Sequence, residues 1–278
     1  MSEVSSLPAP IGKLRRVAWR EGAFSAGERT VPEETAIAFT YNRMAHAVMM
    51  ATPADLEDFA VGLSLSEGII RAADEIAALE IVATELGVEL RIDIAADRTE
   101  IFLQRRRRMS GPSGCGLCGI ESLTEAMRQV ARVPEGLRLP ANAIAAAMDS
   151  LAAEQHLNRE ARALHAAAFW DPRAGLVALR EDVGRHNAVD KLAGALACRK
   201  IPASSGIVVL TSRVSIELVQ KIAIMGAPVV VAVSAPTALA VRTAEQAGIT
   251  LVAVARRDGF EIFTRADRIL SDVEHHVA

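Results

Sequence analysis

GIVVLTSRVSIELVQKIAIMGAPVVVAVSAPTALAVRTAEQAGITLVAV, residues 206–254, decides the fold. Three runs within it, GIVVL (206–210), PVVVAV (228–233) and ITLVAV (249–254), are continuously aliphatic rather than alternating. Strands covered on both faces read this way. Each run is followed by a polar loop and then helical text, and right-handed crossovers make them neighbouring parallel strands. A fourth run, GLVAL (175–179), precedes them, and FEIFT (260–264) reads as a strand returning antiparallel. The sequence therefore predicts an α/β layer structure.

Upstream, ANAIAAAMDSLAAEQHLNRE (141–160) reads as one Ala-rich helix, and 133–140, with two prolines and a glycine, as a linker. The N-terminal half is mixed. IAFTYNRMAHAVMMA (37–51) predicts a hairpin turning near Asn42-Arg43. Thr52-Pro53-Ala54-Asp55-Leu56 predicts a helix start, with a threonine cap and proline at the first helical position. ELGVELRIDIA (85–95) and TEIFLQ (99–104) read as a second strand pair, and GIESLTEAMRQVAR (119–132) as a helix. Residues 1–24 show no clear periodicity. The expected organisation is an arm (1–30), an α+β region ending in a cysteine loop and its helix (31–135), and an α/β cofactor-binding domain (136–278).

Composition narrows the classes. Of 278 residues, 51% are apolar and only 4% aromatic, so the core is aliphatic. A formal net charge of −3 gives no sign of a general nucleic-acid or membrane binder. The apolar runs are too short to span a bilayer. Three cysteines and no apolar leader after Met1 argue for a soluble protein of a reducing compartment, hence cytoplasmic.

Ligands of such sheets gather at the carboxyl edge of the strands. The segments there are Arg180–Asn187 with Arg185 and His186, then Thr211-Ser212-Arg213, Ser234–Thr237, and Ala255-Arg256-Arg257-Asp258-Gly259. Ser, Thr and Asp in such places often serve only as helix caps. Four arginines (185, 213, 256, 257) go beyond capping, since the guanidinium fork matches phosphate. No Walker-type G-x-x-x-x-G-K-[ST] is present, so the rim reads as holding an anionic nucleotide-like group rather than cleaving it. His186 is either a base or phosphate donor, or a loop brace. Lys191, one turn into the next helix, reads as a solvated charge.

The remaining chemistry lies in RRRRMSGPSGCGLCGIESL (105–123), where Cys115 and Cys118 are two residues apart in a Gly- and Ser-rich loop. Structural zinc needs four ligands and C-x-x-C supplies two, so no metal is expected. A deaminase-type zinc would want H-x-E or C-x-E, which is absent. A dithiol redox switch and a carrier thiol both remain open. Gly111, Gly114, Gly116 and Gly119 favour a thiolate that must reach two partners in turn, and Arg105–Arg108 favour the thiolate form.

Four motifs in order, TPADLEDFAVGLSLSEGII (52–70), SGCGLCG (113–119), EDVGRHNAVDKLAG (181–194) and TSRVSIELVQKIAIMGAPVVVAVSAPTALAV (211–241), resemble the FdhD/NarQ family over roughly 31–270. The resemblance implies a sulfur carrier required for formate dehydrogenase activity. In this family sulfur comes as a persulfide from a cysteine desulfurase. It passes to the bis(molybdopterin guanine dinucleotide) molybdenum cofactor, which is then inserted into formate dehydrogenase. The carrier cysteine maps to Cys115, with Cys118 assisting, a sulfurtransferase-like role. The cofactor-binding segment maps to Val254, Ala255, Arg256, Arg257, Asp258 and Gly259. The resemblance further implies a homodimer and a cytidine deaminase-like α/β/α core without its zinc centre. Two departures, Asn42-Arg43 in place of Asn-Gly and GLSLSEG (62–68), lie outside these sites. The alternative is a nucleotide-binding module that senses oxidation through the same dithiol.

Overall fold

The computed structural model describes residues 6–95, 98–99 and 130–271. The cysteine pair, Arg105–Arg108, the strand expected at 99–104 beyond Thr99, and most of the helix expected at 119–132 lie outside the described residues.

The fold is mixed α/β. Its larger layer is a six-stranded sheet built on the three aliphatic runs, β10 (Ile207–Leu210), β11 (Val229–Ala232) and β12 (Thr250–Arg256), which pair in parallel in that order. β13 (Gly259–Ile262) returns antiparallel beside β12. On the far side, β8 (His165–Asp171) lies antiparallel to β10, and β9 (Gly175–Asp182) antiparallel to β8. The full order is β13-β12-β11-β10-β8-β9.

Alternation along the buried strands assigns the two faces. Val208 and Leu210 pack on one side with α4 (Arg185–Cys198), α5 (Ile216–Met225) and α6 (Ala238–Ala247). Ile207 and Val209 pack on the other with α2 (Ala141–Glu154). Helices α5 and α6 are the crossovers of β10-β11 and β11-β12, and both cover the same face, as successive crossovers of one hand must.

Two expectations change here. GLVAL belongs to an edge strand, and β9 is mostly half-buried rather than buried on both faces. The strand separating it from β10, HAAAFWD, reads locally like an extension of the preceding Ala-rich helix. The helix expected over 141–160 breaks at Gln155 into α2 and α3 (His156–Ala161). The break has a partner far along the chain: Glu181 accepts from the N–H groups of Leu157 (2.8 Å) and Asn158 (2.7 Å), capping α3.

The smaller layer is a four-stranded sheet in the order β4-β3-β6-β5, from β3 (Thr35–Tyr41), β4 (Met44–Ala51), β5 (Ile76–Thr84) and β6 (Gly87–Ile94). The β3-β4 hairpin turns at Asn42 (φ 48°) and Arg43 (φ 65°), where the sequence placed it. The partner of β6 across the antiparallel pair is β5, and β3 pairs with β6 in parallel. Helix α1 (Leu56–Ser66) covers this sheet, with Phe59 edge-on to Phe39 at 5.0 Å. It starts at Leu56 after Asp55 in the left-handed region (φ 53°), so Thr52 is not its cap.

Residues 11–32, read as part of an arm, form a hairpin of β1 (Ile11–Arg20) and β2 (Ala23–Pro32) around Glu21-Gly22. The 133–140 stretch is stitched down rather than free. Val133 N–H donates to Ala247, Glu135 pairs with Arg265 and Arg268, and β7 (Leu139–Pro140) pairs with β14 (Ile269–Leu270). Among the described residues no helix is long and apolar enough to cross a membrane.

Candidate functional site

Because β9 runs parallel to β10, the segments after β9, β10, β11 and β12 all leave the same edge of the sheet. Hydrogen bonds stitch them side by side. Thr211 N–H donates to the Ala166 carbonyl (3.1 Å), and Thr211 Oγ1 accepts from Ala166 N–H (2.8 Å). Val214 N–H donates to Ala235, Thr237 N–H to Val214, and Val254 N–H to Ser234. The rim therefore gathers Thr211, Ser212, Arg213, Ser234, Thr237 and Val254 into one run.

Their side chains divide by task. Thr237 Oγ1 accepts from Ala240 N–H (3.2 Å), a helix cap. Ser212 is buried and bonds to the Arg213 carbonyl (3.0 Å), and Ala255 packs in the core. Arg213, Arg256, Arg257, Asp258 and Gly259 are exposed, the last four at the β12-β13 turn. Val254 stands at φ 52° in the irregularity between Ala253 and Arg256. A β-branched residue there is strained, and such strain gathers where a ligand-facing loop must be re-aimed.

The most built part of the rim follows β9. Helix α4 opens at Gly184 with no side-chain cap and no acid in its first turn; Arg185 and His186 stand there instead. Cations at a helix N-terminus oppose the macrodipole. Arg185 Nε and His186 Nε2 are shielded from solvent and have no hydrogen-bond partner. His186 Nε2 lies 3.5 Å from Glu217 Oε2 at the start of α5. Burial, then the charges of Arg185 and Lys221, push the His186 imidazole below its ordinary value. Burial and Arg185 do the same to His165, which sits opposite Asp182 on β8. Glu217 moves the other way from what its burial favours, because Ser215 Oγ donates to it at 2.5 Å and holds the carboxyl below its usual range. His186 thus faces the Glu217 carboxylate while burial and the neighbouring cations disfavour its charged form.

What holds this loop is a buried ionic network that sequence reasoning missed. Lys191, read as solvated, is fully buried. Its Nζ donates to Asp182 Oδ2 (2.6 Å) and the Thr52 carbonyl (2.8 Å), and lies 5.5 Å from the Phe59 ring centroid. Asp182 also accepts from the N–H groups of Thr52 (3.0 Å) and Gly184 (2.7 Å) and from Asn187 Nδ2 (2.9 Å). Asn187 Nδ2 reaches the Met50 carbonyl as well (2.9 Å), and Val183 N–H donates to Thr52 Oγ1 (3.1 Å). The end of β4 is thus bolted to the loop that presents Arg185 and His186. A second pair joins the buried Asp190 to the half-buried Lys221 (2.6 Å), and Asp190 takes a hydrogen bond from Ser66 Oγ on α1 (2.6 Å). The sequence signal was the Asp-x4-Asn-x3-Lys spacing of 182, 187 and 191 across the start of the helix.

Two glycines let α1 and α4 approach this closely. A Cβ on Gly62 would stand 1.6 Å from the Asp190 carbonyl oxygen, and one on Gly194 would stand 1.9 Å from that of Asp58. No group of three or more His, Cys, Asp or Glu is arranged to hold a metal ion among the described residues.

The sequence model of the FdhD/NarQ family matches residues 32–270, which include the loop, the ionic network and every segment of the rim. The chain belongs to the FdhD/NarQ family. It is 54% identical over 96% of its length to the sulfur carrier protein FdhD of Agrobacterium fabrum, 99% of which is covered. It is 50% identical to that of Brucella abortus, over 92% of this chain and 96% of that protein. Its fold is similar to the crystal structure of a putative formate dehydrogenase accessory protein from Desulfotalea psychrophila. There the TM-score is 0.76 at 25% identity, with 94% of this chain and 99% of that one covered.

Proposed function

We propose that this FdhD/NarQ protein is a sulfur carrier required for formate dehydrogenase activity, acting in the cytoplasm as a homodimer. Its near full-length relationship to proteins named as sulfur carriers carries the reading. Cys115 thiolate attacks the outer sulfur of a cysteine desulfurase persulfide; Cys115 becomes the persulfide and the desulfurase thiolate leaves. The client is the bis(molybdopterin guanine dinucleotide) molybdenum cofactor before its insertion into formate dehydrogenase. Cys118 then attacks the inner sulfur of Cys115, forming a disulfide and expelling sulfide to the metal, and a thiol reductant regenerates the pair.

The rim suits the phosphates of such a client. Arg185 Nε is shielded without an acceptor, Arg213, Arg256 and Arg257 stand exposed on neighbouring segments, and the α4 N-terminus carries no acid. Phosphate oxygens match these guanidinium donors and the free N–H groups of the helix start. The parallel β10-β11-β12 core between helical layers fits a cytidine deaminase-like scaffold used for binding.

The test is incubation with a cysteine desulfurase and L-cysteine, followed by peptide mass spectrometry. One reductant-labile sulfur on the Cys115 peptide, lost in Cys115→Ala, is the expected result. A Cys115–Cys118 disulfide with no sulfur adduct would overturn the reading in favour of a redox sensor.

A further inference from the structure

The β1-β2 hairpin is unlike the rest of the chain. It forms a two-stranded sheet of its own. Val17 opposes Ala26 and Trp19 opposes Phe24, so all four side chains share one face. Val17 is 70%, Trp19 63% and Phe24 77% exposed. With aromatic side chains carrying roughly 150–250 Å² each, this stripe leaves on the order of 400 Å² of apolar surface in water. The largest apolar patch on a monomer is commonly of this size and is often functional.

Charge says what covers it. Ile11–Pro32 carries Lys13, Arg15, Arg16, Arg20 and Arg29 against Glu21 and Glu28, a local charge of +3 in a chain of formal net charge −3. On the stripe's own face Lys13 and Arg15 continue the row, with Glu28 opposite Arg15, while Arg16, Arg20 and Arg29 stand on the other face. Arg16 lies across the strand from Gly27, where a Cβ would meet its Nη2 at 3.7 Å. Its Nη1 is shielded from solvent and has no hydrogen-bond partner. A shallow, open depression runs over Arg15, Arg16, Val17, Ala26, Gly27 and Glu28.

We infer that this hairpin is a docking arm for an acidic protein surface, carboxylates set around apolar side chains, on the formate dehydrogenase that the chain serves. The inference rests on the proposed function for the identity of that client. A bilayer fits less well, because tip-first insertion would carry Glu21 at the turn into the lipid. A face-to-face second copy fits less well too, because it would set two faces of the same sign against each other, each net positive from Lys13 and Arg15 against Glu28.

The test is binding of the full chain to purified formate dehydrogenase by biolayer interferometry at two salt concentrations. The variants are Trp19→Ser/Phe24→Ser, Arg15→Glu/Arg16→Glu and, in the exposed β5-β6 turn outside the hairpin, Leu86→Ser. The expected result is a rise in Kd of about tenfold or more for each hairpin variant and none for Leu86→Ser. Wild-type affinity should fall as salt rises. All variants should keep the wild-type circular dichroism and urea midpoint, since the substituted side chains are exposed or, for Arg16, half-buried without a hydrogen bond at Nη1. Unchanged binding by both hairpin variants would overturn the inference while leaving sulfur loading of Cys115, and so the proposed function, intact. It would equally be overturned if the variants lost only self-association in sedimentation, or only adhesion to anionic phospholipid vesicles. No binding by the wild-type chain together with no sulfur loading would sink both.

Discussion

Lys191→Met isolates the ionic network beneath the candidate site. Methionine keeps the apolar stem against Phe59 but removes the cation 2.6 Å from a fully buried Asp182 and the hydrogen bond to the Thr52 carbonyl. Removing one partner of a buried pair costs about 3–5 kcal/mol, because the other charge stays buried. Here Asp182 keeps three donors, Thr52 N–H, Gly184 N–H and Asn187 Nδ2, which points to the lower end, about 3 kcal/mol. Urea unfolding reads this directly. At a slope on the order of 2–3 kcal/mol/M, the midpoint falls by about 1 M. One further result follows from the same physics. Lys191→Met combined with Asp182→Asn recovers at least half of the loss, because no charge is left unpaired. A loss below about 1 kcal/mol, or a double variant that loses the sum of the single losses, would refute the reasoning.

Other expectations concern the site and its frame. Burial and Arg185 hold His186 and His165 below the ordinary imidazole value, so the unfolded chain binds more protons than the folded one. Stability is therefore complete above the unfolded value of 6.5 and falls as pH drops through it towards the folded values. His165→Gln/His186→Gln should flatten the urea midpoint between about pH 7.5 and 5.5, and an unaltered slope would contradict the assignment. Gly194→Ala must force α1 and α4 apart and should cost about 3 kcal/mol, measured by thermal or urea unfolding. Cys118→Ala should accept sulfur on Cys115 but fail to deliver it, read as persulfide that persists when client cofactor is added. Failure to load would remove the division of labour between the two thiols.

Local text determined much of this protein. The aliphatic runs at 206–254 specify parallel strands because only two covered faces tolerate unbroken Val and Ile, and the helical text between them leaves little choice of crossover. The hairpin at Asn42-Arg43 and the antiparallel return after Arg257 are likewise written in short-range signals. The rim segments could be named in advance, because strand direction fixes which loops share an edge.

Only the tertiary structure decided the rest, because the deciding partners are far apart in the chain. Thr52 looks like a cap until Asp182 and Lys191, more than a hundred residues on, claim its backbone groups. Lys191 looks solvated until Asp182, Thr52 and Phe59 enclose it. An Ala-rich helix breaks at Gln155 because Glu181 supplies a competing acceptor, and His165–Asp171 becomes a strand because β9 and β10 offer it two ladders. Propensity acts over a turn or a strand and is worth tenths of a kcal/mol per residue, whereas a buried charge without its partner costs several. Where the two compete, the long-range pairing sets the structure.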